Sequence, residues 1–117
     1  MTPQRILVID DEPAIGRLLQ EAAESVGCQV IVTTMPEQFK RFLVQPQDVL
    51  VVDLMIPGTD GIELLRYIAQ EKVNASIILI SGVNRRVLES AQDLAVELGL
   101  NVLGVLGKPF RISHFIL

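Results

Sequence analysis

The chain has 117 residues, half of them hydrophobic, and a net charge of −4. That length suits one domain and leaves no room for a second of ordinary size, while the negative balance argues against a phosphate-backbone partner, whose non-specific affinity comes from basic footprints. With no Trp and one Tyr there is little for a base-stacking platform, and no apolar run approaches the ~18 residues of a membrane span.

Cys28 is the single cysteine, which excludes an internal disulfide, a zinc cluster or a CxxC motif and reads as a small apolar residue. MTPQRILVIDD carries no charged leader ahead of a long apolar stretch and no small-residue cleavage site, which predicts a cytoplasmic location. No direct contact with nucleic acid or membrane is expected.

The first apolar run, residues 6–9 (ILVI), ends at Asp10 and Asp11. Pro13 then opens a helix whose apolar positions Ile15, Leu18, Leu19, Ala22 and Val26 recur three and four apart, and Gly27 stops it. After a second run at 30–32, residues 34–37 (TMPE) read as a capping box for helix two, with Thr34 as cap and Glu37 reaching back. The third run, 49–52, ends at Asp53. Pro57, Gly58 and Gly61 supply turn chemistry, and Asp60 reads as the cap of a helix striped by Ile62, Leu65, Ile68 and Ala69. The fourth run, 77–80, ends at Ser81, and helix four carries Val87, Ala91, Leu94, Ala95 and Leu98 before Gly99. The fifth, 102–106, leads to Lys108.

Runs apolar at every position suit strands buried on both faces. Strand–helix alternation, five times over, therefore predicts an α/β, doubly wound, five-stranded parallel sheet of order 2-1-3-4-5, flavodoxin-like. No internal repeat, low-complexity segment or linker interrupts it. In that order the chain reverses direction between strands one and three, where ligands bind beyond the carboxyl ends of strands. Asp10, Asp11 and Asp53 end those two strands.

Clustered carboxylates repel, which raises at least one pKa unless a cation lies among them. An all-oxygen set with no His or Cys nearby favours Mg²⁺ over zinc, and Mg²⁺ commonly uses one or two carboxylates plus a phosphate oxygen. A carboxylate can attack phosphorus, with Lys108 as a second positive charge and Ser81 as a hydroxyl donor to the transferring group.

DDE at 10–12, DLMIPGTDG at 53–61, SG at 81–82 and KPF at 108–110 resemble the receiver domain of two-component response regulators, in order and over nearly the whole chain. The resemblance implies a bacterial signalling module in which Asp53 accepts a phosphoryl group from a histidine kinase or phosphotransfer protein. It implies that Asp11 is the direct Mg²⁺ ligand, Asp10 its acidic partner and the Met55 backbone carbonyl the remaining protein ligand. Ser81 and Lys108 match the switch hydroxyl and the phosphate-pairing lysine, and the Lys108–Pro109 peptide is expected to be cis. His114, the single histidine, reads as structural or surface.

Two features depart from the family. Its aromatic residue three positions before the lysine is here Val105, so the aromatic toggle of strand five is absent, and after KPF the sequence RISHFIL gives only about two helical turns. The chain 1–117 therefore reads as one receiver cut within its fifth helix, with an output domain in the full-length protein. Residues 94–110 further resemble receivers fused to EAL-type cyclic-di-GMP phosphodiesterases. Dimerisation through helices four and five is a family habit that this chain could share. An aspartate-nucleophile phosphatase would place an acid/base Asp at the position of Met55, which cannot move a proton, so a true enzyme is not expected. A receiver serving only as a protein-binding scaffold is the alternative; it would be favoured by loss of an acidic residue or the lysine, and none is lost.

Overall fold

Every apolar run is a strand of one parallel sheet in the computed structural model, which describes residues 4–56, 59–82 and 85–108. The sheet strands β1 (Arg5–Ile9), β2 (Gln29–Thr33), β3 (Val49–Asp53), β6 (Ser76–Ser81) and β7 (Asn101–Gly107) stand in the order β2-β1-β3-β6-β7. This is the expected 2-1-3-4-5 once the short antiparallel hairpin of β4 (Met55–Ile56) and β5 (Thr59–Asp60) is set aside. The connections contain α1 (Pro13–Ser25), α2 (Pro36–Phe42), α3 (Gly61–Gln70) and α4 (Arg85–Glu97). The expected fifth helix, the Lys108–Pro109 bond, His114 and the Pro57–Gly58 turn lie outside the described residues. Among those described, no helix is long and apolar enough to cross a membrane.

The double-sided burial follows from strand parity. Leu7 and Ile9, Leu50 and Val52, and Ile77 and Leu79 point to one face, where Phe39, Leu64, Leu65, Ile68, Leu88, Ala91 and Ala95 of α2, α3 and α4 cover them. Ile6, Val8, Val51 and Ile80 point to the other and pack on Leu19 and Ala23 of α1, with Cys28 half-buried at its margin. The lone cysteine is thus packing material.

Local stop signals act as expected at Gly27 and Gly99, both at φ +82°, a conformation that costs an L side chain strain. Asp60 caps α3, its Oδ1 accepting from the Ile62 N–H at 2.9 Å. The capping box at 34–37 is not formed: the cap of α2 is Met35, in an extended conformation before Pro36, and it makes no side-chain capping bond. Proline at the first helical position fixes the start there and keeps its predecessor extended. The Gln38 side chain, rather than Glu37, accepts from the Thr34 N–H, at 3.4 Å.

Two stripe positions also differ. Val26 and Val87 are exposed, while Ala23, Leu64 and Leu88 are buried. Val26 is the C-cap of α1, past the regular turn, and Val87 lies about 100° around α4 from Leu88, at the stripe's margin.

Gly61 brings α3 tight against the residue that follows the β3 terminus. A Cβ there would lie 2.6 Å from Leu54 Cα and 2.9 Å from Leu54 O, both backbone atoms with little room to yield. Gly61→Ala is expected to lower unfolding free energy by about 2 kcal/mol through overpacking, read from urea denaturation. An unchanged midpoint would show that α3 is free to retreat.

Candidate functional site

Parallel register gathers the polar residues. Ile9 opposes Val52, so one residue further on Asp10 and Asp53 leave adjacent strands side by side. Across β3, Asp53 opposes Ile80, and across β6, Ser81 opposes Gly107. Ser81 and Lys108 therefore reach the same edge, where the Lys108 N–H donates to the Ser81 carbonyl at 2.9 Å. Asp10, Asp53 and Ser81 are all buried.

The Lys108 ammonium is at the centre of the carboxylates. Its Nζ lies 2.7 Å from Glu12 Oε1, 3.0 Å from Asp53 Oδ2 and 3.1 Å from Asp10 Oδ2. Asp53 Oδ1 accepts from the Met55 N–H at 3.0 Å, and Asp10 Oδ1 from the Glu12 N–H at 2.9 Å. Burial pushes the Asp10 carboxyl up to about 6; the Glu12 N–H opposes the rise, and the neighbouring Asp53 charge adds to it. Burial alone would lower the Lys108 pKa, but hydrogen bonds to Glu12, Asp53 and Asp10 outweigh it and hold the ammonium above the ordinary lysine range.

Asp10, Asp11 and Glu12 can each place a carboxylate oxygen within 4.8 Å of the others. Among the described residues, buried Asp10 Oδ2 receives no hydrogen bond and has only an ion pair to Lys108. An all-oxygen set containing a buried carboxylate with spare coordination fits a hard divalent cation of the Mg²⁺ kind.

Of the residues expected from sequence, the fold unites Asp10, Asp53 and Lys108 in direct contact, sets Asp11 in the acidic cluster, and brings Ser81 to the adjoining strand end. The Met55 backbone lies beside the Asp53 carboxylate through its N–H. Glu12, to which the sequence analysis assigns no separate role, makes the shortest contact to Lys108. The available signal was the third carboxylate of DDE, standing at the cap of α1 as a residue type that rarely caps. Val105, in the position of the family's aromatic, lines a groove of about 280 Å³ between α4 and β7 with Arg85, Leu88, Glu89, Gln92 and Gly107.

Comparison with known proteins agrees with this geometry. The family model described as "Response regulator receiver domain" matches residues 6–116. The alkaline phosphatase synthesis transcriptional regulatory protein PhoP of Bacillus subtilis is 33% identical over 108 residues, covering 92% of this chain and 43% of that protein. Regulatory protein VirG of Agrobacterium fabrum is 35% identical over 114 residues, covering 97% of this chain and 43% of that one. A response regulator from Colwellia psychrerythraea superposes with a TM-score of 0.83 at 36% identity, covering 97% of this chain and 91% of that structure. The chain thus spans about two-fifths of the length of these curated relatives.

Proposed function

The chain belongs to the response regulator receiver family, and from that premise we propose that it takes a phosphoryl group on Asp53 with Mg²⁺ held by Asp10, Asp11 and the Met55 carbonyl. The observation that carries the reading is the pair of buried carboxylates at adjacent strand ends, Asp10 and Asp53, spanned by the Lys108 ammonium. An oxygen of Asp53 forms the O–P bond as the N–P bond to a donor phosphohistidine breaks; the bond electrons return to the imidazole nitrogen, which takes up a proton. Mg²⁺, when bound, offsets the charge on the phosphoryl oxygens. Lys108 then passes from Asp53 to a phosphoryl oxygen, and Ser81 donates to another. Main-chain attachment of Asp53, Ser81 and Lys108 to rigid strand ends supplies the positioning.

The donor is a histidine kinase or histidine phosphotransfer protein in the cytoplasm, and the domain promotes its own phosphorylation and hydrolysis as a signalling module. The output belongs to a part of the full-length protein outside this receiver, a reading supported by the share of the relatives that the chain covers. The printed names of PhoP and VirG favour a regulatory output, transcriptional in the first. The resemblance of residues 94–110 favours, as a second reading, an EAL-type phosphodiesterase. Self-association of the receiver would couple either output to Asp53.

Incubation with acetyl phosphate and Mg²⁺ is expected to add the mass of one phosphoryl group to the intact chain, and to add none to Asp53→Ala or in chelator. Uptake by the Ala variant at the wild-type level would overturn the assignment. Folded, Mg²⁺-binding protein that takes nothing from acetyl phosphate or from a phosphohistidine donor would leave the scaffold reading in its place.

A further inference from the structure

The shortest contact to Lys108 is also the one furthest from the buried floor. Glu12 Oε1 is 2.7 Å from Nζ on a side chain 56% exposed, whereas the Lys108 side chain is 11% exposed and those of Asp10 and Asp53 are buried. Glu12 is the cap residue of α1, but its side chain makes no capping bond. Its N–H is tied to Asp10 Oδ1 at 2.9 Å, which fixes its backbone against the pocket. The carboxylate is therefore committed to a lysine 96 positions away rather than to its own helix. An ammonium has three protons, and here hydrogen bonds to Glu12, Asp10 and Asp53 engage all of them.

A phosphoryl group arriving on Asp53 brings new oxygens that need the same ammonium. Asp53 can transfer its share of Lys108 to those oxygens, because they are attached to it. Glu12 cannot: it draws Nζ toward the solvent side. We propose that Glu12 is a latch on Lys108, a positioning residue that holds the ammonium in its unmodified pose and competes with the incoming phosphoryl group for it. This inference rests on the roles proposed above for Asp53 and Lys108. Half-exposed ion pairs are weak, so releasing the latch is expected to speed phosphoryl uptake by about two- to five-fold. The gain is expected to shrink toward unity at about 1 M salt, where charges near the surface are screened.

The test compares wild type with Glu12→Gln and Glu12→Asp. Gln keeps the shape and removes the charge; Asp keeps the charge near the acidic cluster but is a methylene short of Nζ. Uptake from acetyl phosphate is followed by intact mass at saturating Mg²⁺, so that altered cation affinity does not enter. The ¹⁵N resonance of the Lys108 ammonium is recorded in the unmodified, chelated protein. Both variants are expected to show faster uptake at low salt, and a shifted or broadened ammonium signal. Uptake that is unchanged or slower in both variants, or an ammonium signal identical to wild type, would overturn the latch. If wild type itself takes no phosphoryl group, the assignment of Asp53 falls separately, and the ammonium spectrum alone decides whether Glu12 holds Lys108.

Discussion

In chelator near neutral pH, Asp10→Asn is expected to be more stable than wild type by about 2 kcal/mol. The Asp10 carboxyl is raised from its ordinary 3.8 to about 6 chiefly by burial, so the fold binds this proton more tightly than the unfolded chain does. The stabilising contribution of that proton is fully present below pH 3.8, declines as pH rises, and is lost once pH passes about 6. At 1.36 kcal/mol per pKa unit, ionised Asp10 leaves the cation-free fold on the order of 3 kcal/mol less stable near neutrality than it is with the proton retained. Asn keeps the acceptor for the Glu12 N–H and removes the charge; weakening the Lys108 contact returns part of the gain.

Urea unfolding at about pH 7 and about pH 4 separates the terms, because the advantage of Asn should largely disappear at the acidic end, where Asp10 is protonated. Added Mg²⁺ should stabilise wild type and do little for the variant, since a ligand that binds only the folded state shifts stability by mass action. A variant no more stable than wild type in chelator at neutral pH would show that Lys108 already neutralises Asp10 in full.

That stability is given up at the site fits how the site was legible. Three central strands are apolar at both parities, and each is followed or ended by a polar residue that the hydrophobic pattern does not explain: Asp10, Asp53 and Ser81. Topology alone then places them together, which is why the sheet order and the gathering of these three residues at one edge could be read from one sequence. Glu12 could not be read that way. Its meaning depends on a side chain crossing to Lys108, and no periodicity records such a contact.

The misread features have the same origin in local competition. At residues 34–37 a capping pattern and an X–Pro step made opposing claims on the start of α2, and the fixed φ of Pro36 prevailed. The hairpin Met55–Ile56 with Thr59–Asp60 has two residues a side, too short to carry a period. The register shift opposite Ile77 and Ile78 leaves Leu103 exposed between Val102 and Gly104. Gly104 was its available mark, since glycine within a strand commonly accompanies a bulge.

The largest change is expected from Lys108→Ala, in two opposite directions. Without the ammonium, Asp10 and Asp53 face each other as buried, unpaired carboxylates, and breaking such a pairing commonly costs about 3 kcal/mol or more. The cation-free variant should therefore unfold well below the wild-type midpoint near neutral pH and recover as acid protonates Asp10. Divalent-cation affinity should move the other way. In wild type Mg²⁺ must enter against a positive charge already 3.0 Å from Asp53 and 3.1 Å from Asp10. Removing that charge should tighten Mg²⁺ binding by roughly tenfold or more, since the repulsion amounts to several kcal/mol even at a surface-like dielectric. Titration calorimetry with Mg²⁺ reads the affinity, and urea unfolding with and without Mg²⁺ reads the stability. Affinity that is unchanged or weaker would mean that Lys108 withdraws toward Glu12 before the cation arrives, so that lysine and cation never compete for Asp10. The two measurements together thus separate a lysine that guards the acidic pocket from one that only pairs with the phosphoryl group once it is there.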